Sequence, residues 1–368
     1  MLDLTRFKVY VVGGYVRDRL LGRDPKDHDF VVVGATADDM VDAGFSQVGA
    51  SFPVFLHPHT GDEYALARME RKVGVGYNGF MCMCDPNITI EEDLYRRDLT
   101  INAMARQVVG WNEHGHAKLS DEIIDPYGGC RDLAQGVIRH VSEAFAEDPV
   151  RVLRAARFAA RYGFKITADT VKLMGDIAPE INHVPNERVW AEFEKGLMEP
   201  YVWLMFNSLD DCGAFQRVNA LAGYSGWSKL HGISDDAPLY VRFALVSANF
   251  TKEMYDECRV PTNVARISQA FNAHGETLMC YLDLPAHDRL ALLDSFRAMN
   301  DTTLLIQCMD CVWYSLENST RREDVMSLIV KDLTNIWSVD AAAVAASCKT
   351  GLEIKQKLFE ARVAAMDV

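Results

Sequence analysis

Short apolar runs separated by glycine and polar residues are the dominant pattern of residues 1–145. Four of these runs predict β-strands: Val9–Val12, Phe30–Val33, Val54–His57 and Tyr64–Arg68. From about Glu147 onward, apolar residues recur at steps of three and four, as in PVRVLRAARFAARY and REDVMSLIVKDL, and this period predicts helices. The pattern therefore predicts an α+β chain, with a head of mixed β-sheet and helices followed by an all-α remainder.

The change of period also predicts domain boundaries. We expect the head over residues 1–145, a helical neck over residues 146–225, and a helical body and tail over residues 226–368. A chain of 368 residues is long enough for more than one core, which agrees with this division.

Composition narrows the class of protein. No apolar run approaches the roughly 20 residues that span a bilayer, and the N-terminus lacks a signal-peptide layout, so we expect no membrane partner. The nine cysteines are scattered, and Cys308 and Cys311 lie in an apolar segment, which favours reduced core thiols and a cytoplasmic location. A net charge of −14 argues against nonspecific coating of nucleic acid, although a local basic stripe can still bind RNA.

The stretch Val9–Gly34, VYVVGGYVRDRLLGRDPKDHDFVVVG, contains the first candidate site. Gly13-Gly14 follows one predicted strand, and a predicted short helix, Tyr15–Leu21, follows the glycines. Glycines let backbone N–H groups approach a phosphate, and Asp27 and Asp29, two residues apart, point to the same side of an extended chain. Two carboxylates beside a phosphate cradle suit a divalent metal and a nucleoside triphosphate. For the glycine pair alone the alternative is a plain turn, and for Asp27 and Asp29 alone the alternative is a solvated acidic loop.

Two arginine-rich motifs follow. RRDLTINA, from Arg96, offers guanidinium groups for phosphate, with a surface helix cap as the alternative. EDPVRVLRAARF, from Glu147, predicts a helix beginning near Pro149 with arginines every three residues, at positions 151, 154 and 157. A solvated face usually mixes lysine and glutamate, so this row favours a functional role.

Asp148 and Arg151 suit the recognition of two bases. Cytosine and adenine both present an amino donor beside a ring-nitrogen acceptor, which a carboxylate and a guanidinium can bind. Uracil and guanine present the reverse order. Because an unpaired or repelling buried polar group costs about 1–3 kcal/mol, such a pair could select C and A without a template.

The three motifs, GGYVRD with DHD, RRDLTINA and EDPVRVLRAARF, together resemble class II tRNA nucleotidyltransferases, the CCA-adding enzymes of the class II nucleotidyltransferase and poly(A) polymerase superfamily. The similarity is closest to the gammaproteobacterial form, covers residues 8–215 and is weak afterward. It implies a polymerase β-like nucleotidyltransferase head, and addition of CCA to the tRNA 3′ end from CTP and ATP with release of pyrophosphate and a two-metal mechanism.

The resemblance also implies residue roles. Asp27 and Asp29 would be catalytic and hold two Mg²⁺ ions, with Glu63 a weaker candidate third carboxylate. The nucleotide-binding residues would be Gly14 and Arg17 at the triphosphate, Arg97 at phosphate or ribose, Asp148 and Arg151 at the base, and Arg154 and Arg157 in support of base or triphosphate. Glu187-Arg188 resembles a further motif of the nucleotide pocket and neck.

The C-terminal part departs from the family. Relatives usually contain an HD phosphohydrolase domain, whereas the corresponding stretch here, Tyr240–Phe250, has Ser247, Ala248 and Asn249 where they have a His-Asp pair. We therefore expect no HD phosphohydrolase activity, and helices that serve as a tRNA-binding body.

Two alternatives to full CCA addition stay open. One is a partial enzyme that adds only A or only CC, or a poly(A) polymerase; the other is a catalytically inactive tRNA-binding protein. A glycine-rich loop near Gly74–Phe80 favours full addition, and the intact Asp27-x-Asp29 argues against inactivity. The stretch from Phe80 to Asp93 is predicted as a loop, either mobile over the active site or plain surface.

Overall fold

A computed structural model describes residues 6–25, 28–48, 54–72, 80–112, 116–315 and 320–367, with the side chains of residues 70–72, 80–82 and 320 left out. Asp27 and residues 74–79 of the predicted glycine-rich loop lie outside the described residues. Tertiary contacts divide the chain into two compact units, Met1–Ala222 and Gly223–Val368.

The first unit is built on a mixed sheet. The strands of this unit are β1 (Lys8–Val12), β2 (Asp29–Val33), β3 (Ser46–Val48), β4 (Val54–Leu56), β5 (Glu63–Leu66), β6 (Arg68–Lys72), β7 (Phe80–Cys84), β8 (Ala105–Trp111), β9 (Ala117–Leu119), β10 (Val137–Ile138) and β11 (Lys165–Ile166). Two smaller two-stranded sheets consist of β6 with β7 and of β10 with β11. The seven-stranded sheet has the order β3-β4-β5-β2-β1-β8-β9. Within it β2 and β5 are parallel, and the other neighbouring pairs are antiparallel.

Helices form the remainder of both units. They are α1 (Gly14–Leu20), α2 (Ala37–Asp42), α3 (Ile90–Tyr95), α4 (Gly129–Gln135), α5 (Val150–Tyr162), α6 (Ala168–Ile177), α7 (Asn186–Leu197), α8 (Val202–Asp211), α9 (Leu239–Val246), α10 (Lys252–Glu257), α11 (Thr262–Met279), α12 (Ala286–Ser295), α13 (Thr303–Ser315), α14 (Thr320–Ser338), α15 (Ala341–Ala346) and α16 (Gly351–Met366). In the part of the chain that the structure describes, no helix is long and apolar enough to cross a membrane.

Burial on both faces explains the continuous apolar runs of the central strands. In β1, Val9 and Val11 pack into a core on one face, whereas Tyr10 and Val12 pack into a second core on the other. A strand covered on both sides needs apolar side chains at every position rather than at alternate ones. The predicted α+β class is confirmed.

The predicted loop from Phe80 to Asp93 is wrong. Phe80–Cys84 forms β7, paired antiparallel with β6, and α3 begins at Ile90. The helix begins there because of a capping box in the sequence TIEE: the Thr89 hydroxyl accepts from the Glu92 backbone N–H at 3.2 Å, and the Glu92 carboxylate accepts from the Thr89 N–H at 2.8 Å.

In the second unit, the predicted stretch Tyr240–Phe250 contributes to a neutral hydrogen-bond network. Ser247 is buried, and its hydroxyl lies 2.6 Å from that of Ser268, which lies 2.9 Å from the Tyr255 hydroxyl. Asn272 donates to the Ser247 carbonyl at 2.9 Å. These four side chains hold α9, α10 and α11 together without an ionised group.

Candidate functional site

A tight glycine turn brings the start of α1 against the RRDLTINA segment. Gly13 has φ +64°, a conformation that favours glycine, and its N–H donates to the Met104 carbonyl at 3.0 Å. A Cβ at this position would lie only 3.0 Å from Nη1 of Arg97. The glycine therefore allows Arg97 to lie beside the turn. Gly14, which follows Gly13, is the first residue of α1.

Two carboxylates lie side by side at the end of the sheet next to this turn. Asp29 begins β2 and Glu63 begins β5, and the two residues are in register on these parallel neighbours. Register partners of parallel strands point to the same face, and both side chains are exposed. Their acceptor oxygens are the donor type that Mg²⁺ prefers.

Both carboxylates line a cavity of about 240 Å³ together with three arginines. The lining residues are Val12, Asp29, Phe30, Val31, Val54, Glu63, Ala65, Arg68, Arg96 and Arg97. Carboxylates that can hold a cation and guanidinium groups that can hold phosphate thus share one space. Among the described residues no group of three His, Cys, Asp or Glu side chains could hold a metal, and Asp27 is not one of these residues.

Asp93 of α3 holds two of these arginines. Its side chain is fully buried and accepts from Nε and Nη2 of Arg96 at 3.1 and 2.7 Å, and from Nη2 of Arg97 at 3.2 Å. Burial opposes the charge of Asp93, but the two guanidinium groups outweigh it and lower the pKa of this carboxyl. Burial also lowers the pKa of Arg97, against the attraction of Asp93 and Asp29.

Arg17 is buried among protein partners. Its guanidinium donates to both carboxylate oxygens of Asp18 at 2.9 and 3.0 Å and to the side-chain oxygen of Asn102. It lies 5.2 Å from the ring centroids of Phe158 and Tyr162 of α5. Arg17 thus joins α1, the RRDLTINA segment and α5.

The arginine row of α5 also faces carboxylates. Arg154 donates to Asp98 from Nε and Nη2, both at 2.8 Å, and this ion pair, against the effect of burial, lowers the pKa of Asp98 to about 2. One turn later, Arg157 donates to Glu192 of α7 at 2.6 Å and lies 3.6 Å from Glu199. The row therefore joins α5 to the RRDLTINA segment on one side and to α7 on the other.

The predicted base-selecting pair lies at the start of α5. Asp148 accepts from Nη2 of Arg188 at 2.8 Å and from the Val150 N–H at 3.1 Å. Arg151 is buried and donates to the Ala144 carbonyl at 2.6 Å. The two residues are three positions apart in sequence, and each side chain has a protein partner.

Comparison with known proteins decides the family. Residues 9–139 match the model of the poly A polymerase head domain, and residues 163–219 match the probable RNA and SrmB- binding site of polymerase A. A multifunctional CCA protein of Aromatoleum aromaticum is 41% identical over 409 aligned positions that cover 98% of both chains. The chain belongs to the CCA protein family. A multifunctional CCA protein of Cupriavidus taiwanensis is 38% identical over 98% of this chain and 97% of its own length.

Solved structures agree with this family at the level of the fold. A Bacillus stearothermophilus CCA-adding enzyme in complex with CTP has a TM-score of 0.68 at 23% identity and covers all of this chain and 90% of its own. A Thermotoga maritima CCA-adding enzyme complexed with tRNA has a TM-score of 0.66 at 22% identity and covers 99% and 88%.

Sequence reasoning missed Asp93, which holds two predicted site residues in this CCA protein family member, and it missed the partner of Arg188. Asp93 precedes Arg96 and Arg97 by three and four residues, and this spacing within the EEDLYRR stretch was a usable signal. Arg188 had been assigned to the nucleotide pocket, but its bond to Asp148 joins positions 40 residues apart. No local pattern predicts such a pair.

Proposed function

We propose that this chain adds CCA to the 3′ end of tRNA from CTP and ATP, without a nucleic-acid template, and releases pyrophosphate. The observation that supports this most directly is the cavity in which Asp29 and Glu63 lie with Arg96 and Arg97. A family member with such a cavity can bind a nucleoside triphosphate through both its metal and its phosphates.

Asp27 and Asp29 are proposed to hold two Mg²⁺ ions. Nucleotidyltransferases generally use divalent metals, and the carboxylate of Asp29, which lines the cavity, is a suitable oxygen donor. When bound, these ions would lower the pKa of the tRNA 3′-hydroxyl and neutralise charge on the triphosphate. Glu63, in register with Asp29, is a candidate to hold a metal-bound water.

The arginines and the glycine turn are proposed to position the triphosphate. Arg97 lies beside the turn at Gly13, so a phosphate near Gly14 would lie within reach of its guanidinium. Arg17 would bind phosphate by exchanging its bonds to Asp18. Positioning and charge account for most of phosphoryl-transfer catalysis, so these groups need no additional histidine base.

Asp148 and Arg151 are proposed to select the base, with Arg154 and Arg157 holding the helix on which they act. A cytosine or adenine amino group would replace Arg188 at Asp148, and the ring nitrogen would replace the Ala144 carbonyl at Arg151. Uracil or guanine would place acceptor against acceptor and donor against donor. At about 1–3 kcal/mol per mismatch, the two together correspond to more than tenfold discrimination.

Incubation of the protein with tRNA that lacks CCA, Mg²⁺ and each nucleotide singly or together tests the function. We expect two additions with CTP alone, three with CTP and ATP, and none with UTP or GTP. Products with one added A, with two added C only, or with many added A residues would indicate a partial enzyme or a poly(A) polymerase instead of full CCA addition. The absence of any product would indicate a catalytically inactive tRNA-binding protein.

The second unit is proposed to be a tRNA-binding body without phosphohydrolase activity. The hydroxyl and amide network around Ser247 supports this, because neutral side chains bonded to one another are poor replacements for a metal-binding His-Asp pair. Purified protein with Ni²⁺ or Mg²⁺ should release no phosphate and open no cyclic phosphate; turnover would contradict the proposal. The boundaries near residues 145 and 225 and the cytoplasmic location stay predictions.

A further inference from the structure

We propose that Asp93 is a positioning residue for the triphosphate: one buried carboxylate sets the orientation of both Arg96 and Arg97 toward the cavity. The inference deepens the proposed function and rests on it, because it assumes that a nucleoside triphosphate binds in the cavity that contains Asp29. Asp93 itself does not line that cavity, so its effect would be exerted through the arginines.

The two carboxylate oxygens of Asp93 hold different arginines. Oδ1 of Asp93 accepts from both Nε and Nη2 of Arg96, and Oδ2 accepts from Nη2 of Arg97. Two contacts on one edge fix the plane of the Arg96 guanidinium. The two arginines are therefore held by opposite oxygens of one group that is 0% exposed.

Part of the Arg97 guanidinium lacks a hydrogen-bond partner among the described residues. Nη2 is bonded to Asp93, and Nη1 points to the glycine turn, where it lies beside Gly13. Nε is buried and has no hydrogen-bond partner among the described residues. Only 19% of this side chain is exposed. A buried donor without a partner is costly, so this guanidinium, which belongs to a lining residue of the cavity, contains one unsatisfied donor.

Arg96 and Arg97 are sequence neighbours with like charges, and the charge of Arg96 contributes to lowering the pKa of Arg97. Asp93 neutralises one of the two charges, so the two arginines together keep a net positive charge at the cavity that Asp29 also lines. A carboxylate at this position thus allows two guanidinium groups to remain close together and still attract phosphate.

Asp93 is itself held in place by its surroundings. It lies one residue after the capping box of α3, between the buried Ile90 and Leu94. Its Oδ1 also accepts from the backbone N–H of Arg68, the first residue of β6 and a third lining residue of the cavity, at 3.3 Å. Asp93 therefore fixes side chains on α3 and backbone on β6 at the same wall.

The test compares nucleotide binding by the full chain and its Asp93→Asn variant, without tRNA. Equilibrium dialysis gives the dissociation constants of CTP and CMP. The ratio of the CMP constant to the CTP constant measures how much the triphosphate contributes to binding. Asparagine has the same shape, but it loses the charge and places an amide donor against an arginine donor. We expect CTP binding to weaken about tenfold, with CMP binding changed less than twofold.

The matched control is Asp332→Asn in the second unit. Asp332 is also 0% exposed and accepts from Arg289 at 2.8 Å and from Tyr281 at 2.8 Å. Its variant should lose stability in the same way but keep the wild-type ratio. If it changes the ratio as Asp93→Asn does, or if Asp93→Asn weakens CTP and CMP equally, Asp93 is only structural.

If Asp93→Asn does not fold, Asp93→Glu takes its place. It keeps the charge but displaces the carboxylate by one methylene, so the ratio should fall by a smaller factor, and an unchanged ratio in the folded variant overturns the inference.

Extension of tRNA by the wild-type chain is measured in parallel. A changed ratio without extension would support Asp93 and refute the proposed function; extension with an unchanged ratio would do the reverse.

Discussion

At the scale of single residues, the predicted site residues of the described chain bond mainly to other parts of the protein. Arg154 bonds Asp98 across 56 residues of sequence, and Arg157 bonds Glu192 across 35. The sequence indicated that these arginines act as a row on one helix, because their three-residue spacing is local. Their partners could not be predicted, since they depend on how distant segments pack.

The Asp98–Arg154 pair predicts a pH-dependent contribution to stability. The folded pKa of Asp98, about 2, lies below the ordinary value of 3.8, so the stabilisation is present above pH 4 and is lost as the pH falls toward 2. Arg154→Ala should lower the free energy of unfolding at pH 7 by about 1–3 kcal/mol. This is less than for a fully buried pair, because 35% of the Arg154 side chain is exposed.

Urea denaturation from pH 7 to pH 2 measures this difference between wild type and variant. The difference should be largest above pH 4 and should shrink toward pH 2. Lys357→Ala, which breaks the exposed pair with Glu353, should cause little change at any pH. A difference between Arg154→Ala and wild type that stays constant down to pH 2 would show that the pair does not stabilise through charge.

At the scale of elements, the sequence was most informative where local chemistry determines the structure. The runs predicted as Val9–Val12 and Phe30–Val33 correspond to β1 and β2, because strands buried on both faces need unbroken apolar sequence. The β6–β7 pair was missed because its strands lie next to a glycine-rich, basic segment that suggested a loop. Parallel pairing of β2 with β5, which brings Glu63 beside Asp29, depends on sheet order and was not predictable from either run alone.

Packing of α4 against the RRDLTINA segment gives a prediction about an element. Gly129 begins α4, and a Cβ there would overlap the Thr100 carbonyl oxygen and approach Met104. A backbone oxygen cannot move aside as a flexible side chain can. Gly129→Ala should therefore displace the segment that contains Asn102 and lower the free energy of unfolding by about 1–3 kcal/mol.

Thermal and urea denaturation of Gly129→Ala measure the effect. Gly110→Ala in β8, where a Cβ would meet nothing within 4 Å, is the control and should leave stability nearly unchanged or slightly raised. Equal stability of the two variants would mean that α4 and the RRDLTINA segment can separate without cost.

At the scale of the whole molecule, the question is how an acidic chain can act on RNA. The net charge is −14, and several arginines near the candidate site are bonded to carboxylates rather than displayed to solvent. Substitution of an acidic residue at the candidate metal site therefore changes two properties at once: a possible metal ligand, and the repulsion between the protein and tRNA. A test of catalysis must separate these effects.

The double variant Asp27→Ala/Asp29→Ala makes this separation when it is compared with Asp38→Ala/Asp42→Ala. Both change the net charge from −14 to −12, and Asp38 and Asp42 are exposed residues of α2 that do not line the cavity. Because the two changes in charge are equal, tRNA affinity should shift to a similar extent in both. Loss of the metal-binding carboxylates should lower CTP transfer at least roughly a thousandfold in the first variant only.

Gel-shift titration with tRNA and single-turnover incorporation of labelled CTP measure the two quantities. Transfer that falls equally in both variants, or in neither, would contradict the assignment of Asp27 and Asp29 as metal ligands.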